Sequence, residues 1–207
     1  MPVNMTTPIS RNWVTLNTDL PIWSHFFMIA PLAVVGTREE EGYDLAPKHM
    51  ITPMGFGNYI GFVCTPAHGT YHNIKARGEF TMSFPMADQT LITSLTASPR
   101  QSGISKAAQI IETLPTHRAI EVDALFLEQA YLKLECKHFK TIDGFGSNSL
   151  ITGRILHAYV HPDYLRVSEQ DEQSMLHEHP LLAYVAEGRF GRVAETYHFP
   201  FPKGFKR

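Results

Sequence analysis

At 207 residues, 43% of them hydrophobic, the chain is long enough to bury one ordinary core and too short to suggest a second. A formal charge of −2 and a pI near 6.6 exclude the broad basic footprint of a nucleic-acid binder. No run approaches the roughly 20 apolar residues that span a bilayer, so no membrane partner is expected.

Residues 1–24 read as an arm. "MPVNMTTPIS" is polar and proline-bearing, and the next stretch offers Trp13, Leu16, Leu20 and Trp23 as anchors for the body or for a partner chain. No basic segment followed by an apolar one suggests a secretory leader. "APLAVVGT" reads as a strand, "REEEGYD" as a turn, and "YDLAPKHM" as the second arm of a hairpin. That arm is odd. Pro47 cannot donate to a ladder and belongs at an edge or a bulge, while Lys48 and His49 suit no buried face. "YIGFVCT" is a further β-rich run.

A short helix is predicted over 70–77, with Thr70 as N-cap and Gly78 as the glycine after its end. "EFTMSFP" follows as a strand with Phe80, Met82 and Phe84 on one face. "MADQTLITSLTAS" places Leu91, Ile92 and Leu95 at helical spacing, and "SKAAQIIETL" gives a second helix ending at Pro115. In "AYLKLECKHFKT", Leu132, Leu134, Cys136 and His138 share one face of a strand, and Lys133, Glu135 and Lys137 the other. "DGFGSNS" then turns the chain into the returning strand "LITGRILHAYV". The tail holds a helical segment, "EHPLLAYVAEG", and an extended "YHFPFPKGF"; the final basic run, "FPKGFKR", reads as a soluble tail. About six strands, with no βαβ alternation and no repeat, predict a barrel of mostly antiparallel strands.

Chemistry-bearing motifs are sparse. Eleven histidines fall partly in pairs, His68 with His72, His157 with His161 and His177 with His179, but none has metal-ligand spacing, and no metal is expected. No GxSxG or GxGxxG motif occurs. Cys64 and Cys136 lie far apart without a CxxC, which suits buried structural thiols and a reducing cytoplasm. One constellation stands out. If "YDLAPKHM" pairs with "APLAVVGT" and lies beside "YIGFVCT", Lys48 meets the N–H groups that open the helix at Thr70, a ready anion site. Thr65, His68 and Thr70 add donors that suit a phosphate. Leu45, Ala46, Pro47, Met50 and Phe62 suit a flat hydrophobic ring. An irregular edge strand with a solvated lysine is the alternative reading of the same residues.

Three spaced segments resemble the flavin reductase-like family, whose fold is the FMN-binding split barrel. "PLAVVGTREEEGYDLAPKHM" is similar to the family's first hairpin, with its "n-x-A-P-x-S" segment. "YIGFVCTPAHGTYHNIKARGEFTMSF" is similar to its second block, a strand, a loop, "T-x-x-N-I", a short helix, "G-E-F" and a strand. "LECKHFKTIDGFGSNSLITGRILHAYV" is similar to its third, a strand ending in "l-e-C", a "G-D-H" type turn and "x-x-G-x-V". Their order and distances agree over about residues 26–165.

The resemblance implies a mainly β, Greek-key split barrel with short helices. It implies one domain over residues 1–207, its core flanked by an N-terminal arm and a C-terminal extension. It further implies a homodimer with FMN at the subunit interface. The flavin ring would lie along "LAPKHM", with Leu45, Ala46, Pro47, Lys48, His49, Met50, Phe62 and Cys64 around it. Phosphate contacts would come from Thr65, His68 and Thr70. Pro47 would break the ladder so that Lys48 and His49 face the flavin. Lys48 would stabilise the reduced ring, and His49 is the catalytic candidate, as a proton donor.

The expected activity is that of an NAD(P)H-dependent flavin reductase-like oxidoreductase, with NADH or NADPH as donor and a flavin or another acceptor as recipient. The chain departs from the family at the "G-D-H" turn, here "GFGSNS". Asn148 and Ser149 are the nearest polar substitutes there and the candidates for nicotinamide contact. A non-enzymatic FMN carrier and a split barrel for another planar cofactor are the alternatives.

Overall fold

The computed structural model describes residues 13–99, 104–166, 172–198 and 200–204. The apolar run read as one strand is split at the buried Leu32 into β1 (Ala30–Pro31) and β2 (Ala33–Arg38). β3 (Tyr43–Lys48) returns antiparallel to β2 and completes the expected hairpin, with Ala33 opposite Lys48 and Arg38 opposite Tyr43. Pro47 does not break this ladder; it keeps its place opposite Val34. β3 is an edge strand, and an edge leaves one row of amides without a partner, where a missing N–H costs little.

β4 (Ile51–Pro53) begins on the far edge of the same sheet, and it pairs with β5 (Tyr59–Cys64). Beyond β5 come α1 (Gly69–Arg77) and β6 (Glu79–Pro85), then the short α2 (Thr90–Leu95) and α3 (Lys106–Gln109). β7 (Thr116–Arg118) and β8 (Leu125–Leu127) make a small pair of their own. The long β9 (Ala130–Phe145) and β10 (Asn148–Val160) form the predicted hairpin, narrowed to a turn at Gly146 and Ser147. Among the described residues the main sheet has seven strands in the order β3-β2-β6-β9-β10-β5-β4.

That order fixes the shape. The chain leaves one edge at Lys48 and joins the other at Ile51, and three Cα steps reach at most about 11 Å. The two edges must therefore lie side by side, and the sheet curls into a split barrel. Val63 N–H donates to the Met50 carbonyl at 3.0 Å across this crossing.

The barrel interior is the larger core, built from Val35, Phe62, Phe80, Met82, Leu134, Cys136 and Ile151 among others. Phe80, Met82 and Phe84 alternate into it as expected. Phe62 meets Phe80 edge-on, with ring centroids 5.6 Å apart. Each such side chain contributes about 1.5–3 kcal/mol on burial. Gly153 is needed where β10 crosses this layer: a Cβ there would stand 2.5 Å from Phe80 Cζ. A second cluster on the outer face gathers Val34, Leu45, Ile111, Leu114, Leu125 and Leu127. Gly78 ends α1 with φ 72°, a left-handed conformation that glycine adopts without steric cost.

Several expectations are corrected. Leu91 is 71% exposed, and only Ile92 and Leu95 of its helix pack on the second cluster. "SKAAQIIETL" is α3 followed by one 3-10 turn, Ile111–Thr113. The tail's "LLAYVA" is not helical. The helix lies upstream, α4 (Glu172–Glu178), and Pro180 stands between it and β11 (Leu181–Ala186), which pairs with β1 and with β12 (Arg189–Val193).

Glu135 does not share a solvated face with Lys133 and Lys137; it is fully buried. Its carboxylate accepts from the N–H groups of Ile120, Glu121 and Val122 at 3.3, 2.6 and 3.0 Å, and from the Tyr159 hydroxyl at 2.8 Å. In the arm, Trp13 and Leu20 are 73% and 62% exposed, Leu16 is half-buried, and Trp23, 59% exposed, lines a cavity with His49 and Tyr184 of the body. The rest of the predicted arm, residues 1–12, and Phe199 and residues 205–207 of the tail lie outside the described residues.

Candidate functional site

The period of two along β3 places Asp44, Ala46 and Lys48 on the face that looks into the barrel. Their partners on β2 confirm it: Ala46 lies opposite Val35 and Lys48 opposite Ala33, both members of the interior core. Lys48 is 8% exposed, and its side chain hydrogen-bonds the Cys64 sulfur at the end of β5. The Cys64 thiol in turn donates to the Thr65 carbonyl at 3.6 Å. Burial pushes that thiol's pKa up, against the pull of the Lys48 ammonium, so the group beside Lys48 is neutral.

Asp44, 3% exposed, is engaged from the other side. The Lys106 Nζ lies 2.9 Å from its carboxylate and also donates to the carbonyls of Leu45 and Thr96 at 2.6 and 2.7 Å. α3 is thereby tied to the edge strand, on whose inner face Asp44 and Lys48 stand four residues apart.

The loop after β5 closes the cluster. His68 is the residue before α1, and no side chain caps the helix there. Thr70 lies in the first turn, 1% exposed, so it is not the N-cap that the sequence suggested. Burial, and after it the Lys48 ammonium, holds the His68 imidazole below its usual pKa, with the Asp44 carboxylate acting in the opposite direction. Thr65 is half-buried on the loop, and its hydroxyl is engaged locally, accepting from the Ala67 N–H at 3.3 Å. α1 is held against β2 by Asn73, whose amide donates to the Thr37 hydroxyl at 3.0 Å.

Not every predicted site residue joins this group. Leu45 points to the outer face and is fully buried in the second cluster. Phe62 is fully buried in the barrel core and offers no open face to a ring. Ala46 and Pro47 are half-buried along the edge strand. His49 does not face the same way as Lys48. It stacks on Tyr184 of β11, with ring centroids 4.0 Å apart and planes inclined by 17°, and Met50 is exposed beside it.

Ser149 is fully buried opposite Cys64, and its hydroxyl donates to Asp143 at 2.6 Å. Asp143 also accepts from the Tyr71 hydroxyl at 3.1 Å, which itself accepts from Lys75. Ser149 is thus spent on holding the β9–β10 hairpin to α1, while Asn148 is exposed at the hairpin's tip. Sequence reasoning missed Asp44 and Lys106. Strand alternation from Lys48 could have flagged Asp44; nothing local marks Lys106.

Lys48, His68, Thr70 and the uncapped start of α1 form a donor-rich end to the barrel, with the half-buried Ala46–Pro47 edge next to it. Residues 25–186 match the family model described as "Flavin reductase like domain". No curated protein matches the chain. Among solved structures, an FMN-binding protein from Thermus thermophilus is similar with a TM-score of 0.72 and 22% identity, over 91% of this chain and 99% of that one. Flavoredoxin from Methanosarcina acetivorans has a TM-score of 0.72 and 17% identity, over 93% and 97%. A Streptomyces globisporus NADH:FAD oxidoreductase has a TM-score of 0.64 and 16% identity, over 81% and 87%. These likenesses establish a shared split-barrel fold, and the match over most of the length carries the family: the chain belongs to the flavin reductase-like domain family.

Proposed function

We propose that the protein is an FMN-binding flavoprotein that works as a flavin-dependent oxidoreductase, with NADH or NADPH as its donor. The observation that carries this reading is the buried Lys48 ammonium resting on a neutral thiol. A buried cation without a compensating charge is costly, and an anionic ligand removes the cost. Asp44 is already engaged by Lys106 at 2.9 Å, and the nearby donors of His68, Thr70 and the first turn of α1 suit a phosphate dianion.

FMN fits these residues. Lys48, His68 and Thr70 would hold its phosphate end, and the Ala46–Pro47 edge would support its ring. Bound there, FMN supplies two-electron redox chemistry. The protein's part is to bind, orient and keep positive charge close to the site. Asn148, exposed at the hairpin tip, is the remaining candidate for nicotinamide contact, since Ser149 is occupied. The similar Thermus protein is described as FMN-binding and the similar Streptomyces protein as an NADH:FAD oxidoreductase; both descriptions favour this reading.

The same reading includes a homodimer. β9 and β10 leave Phe139, Ile142, Phe145 and Leu156 between 39% and 61% exposed, and the arm adds Trp13 and Trp23. Monomers seldom leave so much apolar surface in water.

The test is the visible spectrum of FMN-loaded protein, followed by anaerobic NADH and then NADPH. Bleaching of the bound flavin by either nucleotide supports the oxidoreductase. Flavin that binds but is reduced by neither favours the electron carrier, and failure to take up FMN refutes the proposal.

A further inference from the structure

The β7–β8 pair lies over the outer face of the main sheet, where the Leu127 N–H donates to the Ser83 hydroxyl at 3.0 Å. It brings His117 of β7 against Lys133 of β9. Lys133 is half-buried, opposite Ser83 on β6 and Tyr159 on β10. Its amine hydrogen-bonds the Glu128 carbonyl and His117 Nε2, each at 2.9 Å. Beside it opens a cavity of about 370 Å³, whose walls include Met86, Ala130, Tyr159, Val160 and Pro162. The size falls within the usual range for small-molecule sites, roughly 300–1,000 Å³.

The two side chains stand as a nucleophile and its base. His117 Nδ1 lies 3.1 Å from the Arg118 carbonyl. A carbonyl only accepts, so the ring proton sits on Nδ1 and the Nε2 lone pair faces Lys133. A nucleophile, a base within hydrogen-bond reach and a third group that orients the base are the signature of nucleophilic catalysis. A lysine attacks as the neutral amine. The hydrogen bonds of Lys133 go to a carbonyl and an imidazole rather than to a carboxylate. Burial lowers its pKa, with the Glu128 carboxylate acting in the opposite direction. The other titratable groups in the wall are engaged elsewhere. The Tyr159 hydroxyl donates to Glu135 at 2.8 Å, and His161 lies 3.6 Å from the Asp163 carboxylate.

We propose that Lys133 is a nucleophilic amine that captures small aldehydes as an imine, with His117 as its proton carrier. The ammonium first releases a proton to solvent. The amine nitrogen then attacks the carbonyl carbon; the N–C bond forms and the carbonyl π pair moves to oxygen. His117 Nε2 takes the two remaining nitrogen protons in turn and passes each to that oxygen. The C–O bond breaks, water leaves and a C=N bond remains, with no change of oxidation state. Met86, Ala130, Val160 and Pro162 give apolar walls that suit a short alkyl chain. None of these residues belongs to the Lys48 cluster, so the site stands apart from the cofactor reading.

Pulse labelling of the intact protein with propanal and cyanoborohydride, which fixes an imine as a secondary amine, tests it when every lysine is quantified by peptide mass mapping. At neutral pH, Lys133 should be labelled at least about tenfold faster than Lys137 and Lys140, which are exposed on the same strand. His117→Gln, at an exposed position, keeps a hydrogen-bond acceptor but cannot carry the proton. It should slow Lys133 by at least about fivefold and leave Lys137 and Lys140 as they were; a merely structural His117 would be replaced without loss. Unchanged labelling of Lys137 and Lys140 also reports that the variant is folded. Labelling of Lys133 no faster than that of Lys137 and Lys140, or a His117→Gln variant labelled at Lys133 like the wild type, would each overturn the proposal. No flavin enters the assay, so a failure of the cofactor reading stays distinguishable from a failure of this one.

Discussion

Replacing Lys48 by methionine separates a functional cation from a structural one. Lys48 is 8% exposed and its described side-chain bond is to a neutral thiol. Without ligand, the buried ammonium is under-compensated, and an apolar side chain of similar length in its place is neutral to stabilising. The apoprotein of Lys48→Met should therefore unfold in urea at the same midpoint or a higher one, by up to about 1 kcal/mol at unchanged m. FMN binding should move the other way. A charge-assisted bond to phosphate is worth about 1.5–3 kcal/mol, so the FMN dissociation constant should rise by roughly 10- to 150-fold. Both can be read on one preparation, the first by circular dichroism and the second by quenching of flavin fluorescence. A variant that loses more than about 2 kcal/mol of stability and binds FMN as before would refute the reasoning and make Lys48 a structural residue.

Lys106→Met should behave in the opposite way: it removes the buried ion pair to Asp44 and the donor to two buried carbonyls, at a cost of about 3–5 kcal/mol in urea unfolding. Glu135→Leu should cost a similar amount, roughly 3–5 kcal/mol, because three backbone N–H groups and the Tyr159 hydroxyl lose their acceptor. Burial alone would raise the Glu135 pKa, but the bonds from Glu121, Tyr159, Val122 and Ile120 outweigh it and hold the group below its ordinary value of 4.5. A carboxyl depressed in the folded state contributes stability that is present above that ordinary value and lost as the pH falls through the lower, folded one. Stability measured from pH 5 downward should therefore fall more steeply for the wild type than for Glu135→Gln. Gly153→Ala should cost about 1–3 kcal/mol, since its Cβ would press on the Phe80 ring, and thermal melts would show it.

What the sequence made legible was local. Phe80, Met82 and Phe84 alternate, the first hairpin follows from an apolar run and an acidic turn, and Gly78 stops α1 where a left-handed residue is needed. The nearness of Lys48 to His68 was legible too, because both flank turns of the first two blocks. What escaped depends on distant parts of the chain. Glu135 alternates like a solvated residue, and only the 120–122 segment folding over it turns it into a buried acceptor. "LLAYVA" carries no period that separates strand from helix; its state is set by pairing with Ala30 and Pro31, about 150 residues earlier. His49 was read with Lys48 because they are adjacent, yet a strand sends adjacent side chains to opposite faces. Lys106 sits in an ordinary "SKAAQ" segment, and its role follows from where α3 docks.

The proposed role of Lys48, His68, Thr70 and the start of α1 is to hold a phosphate. Comparing FMN with riboflavin, which shares the ring and lacks the phosphate, tests it most directly. Titration of the apoprotein should give FMN a dissociation constant at least about tenfold below that of riboflavin, with the gap closing in Lys48→Met. Equal affinities for the two flavins in the wild type would contradict the claim.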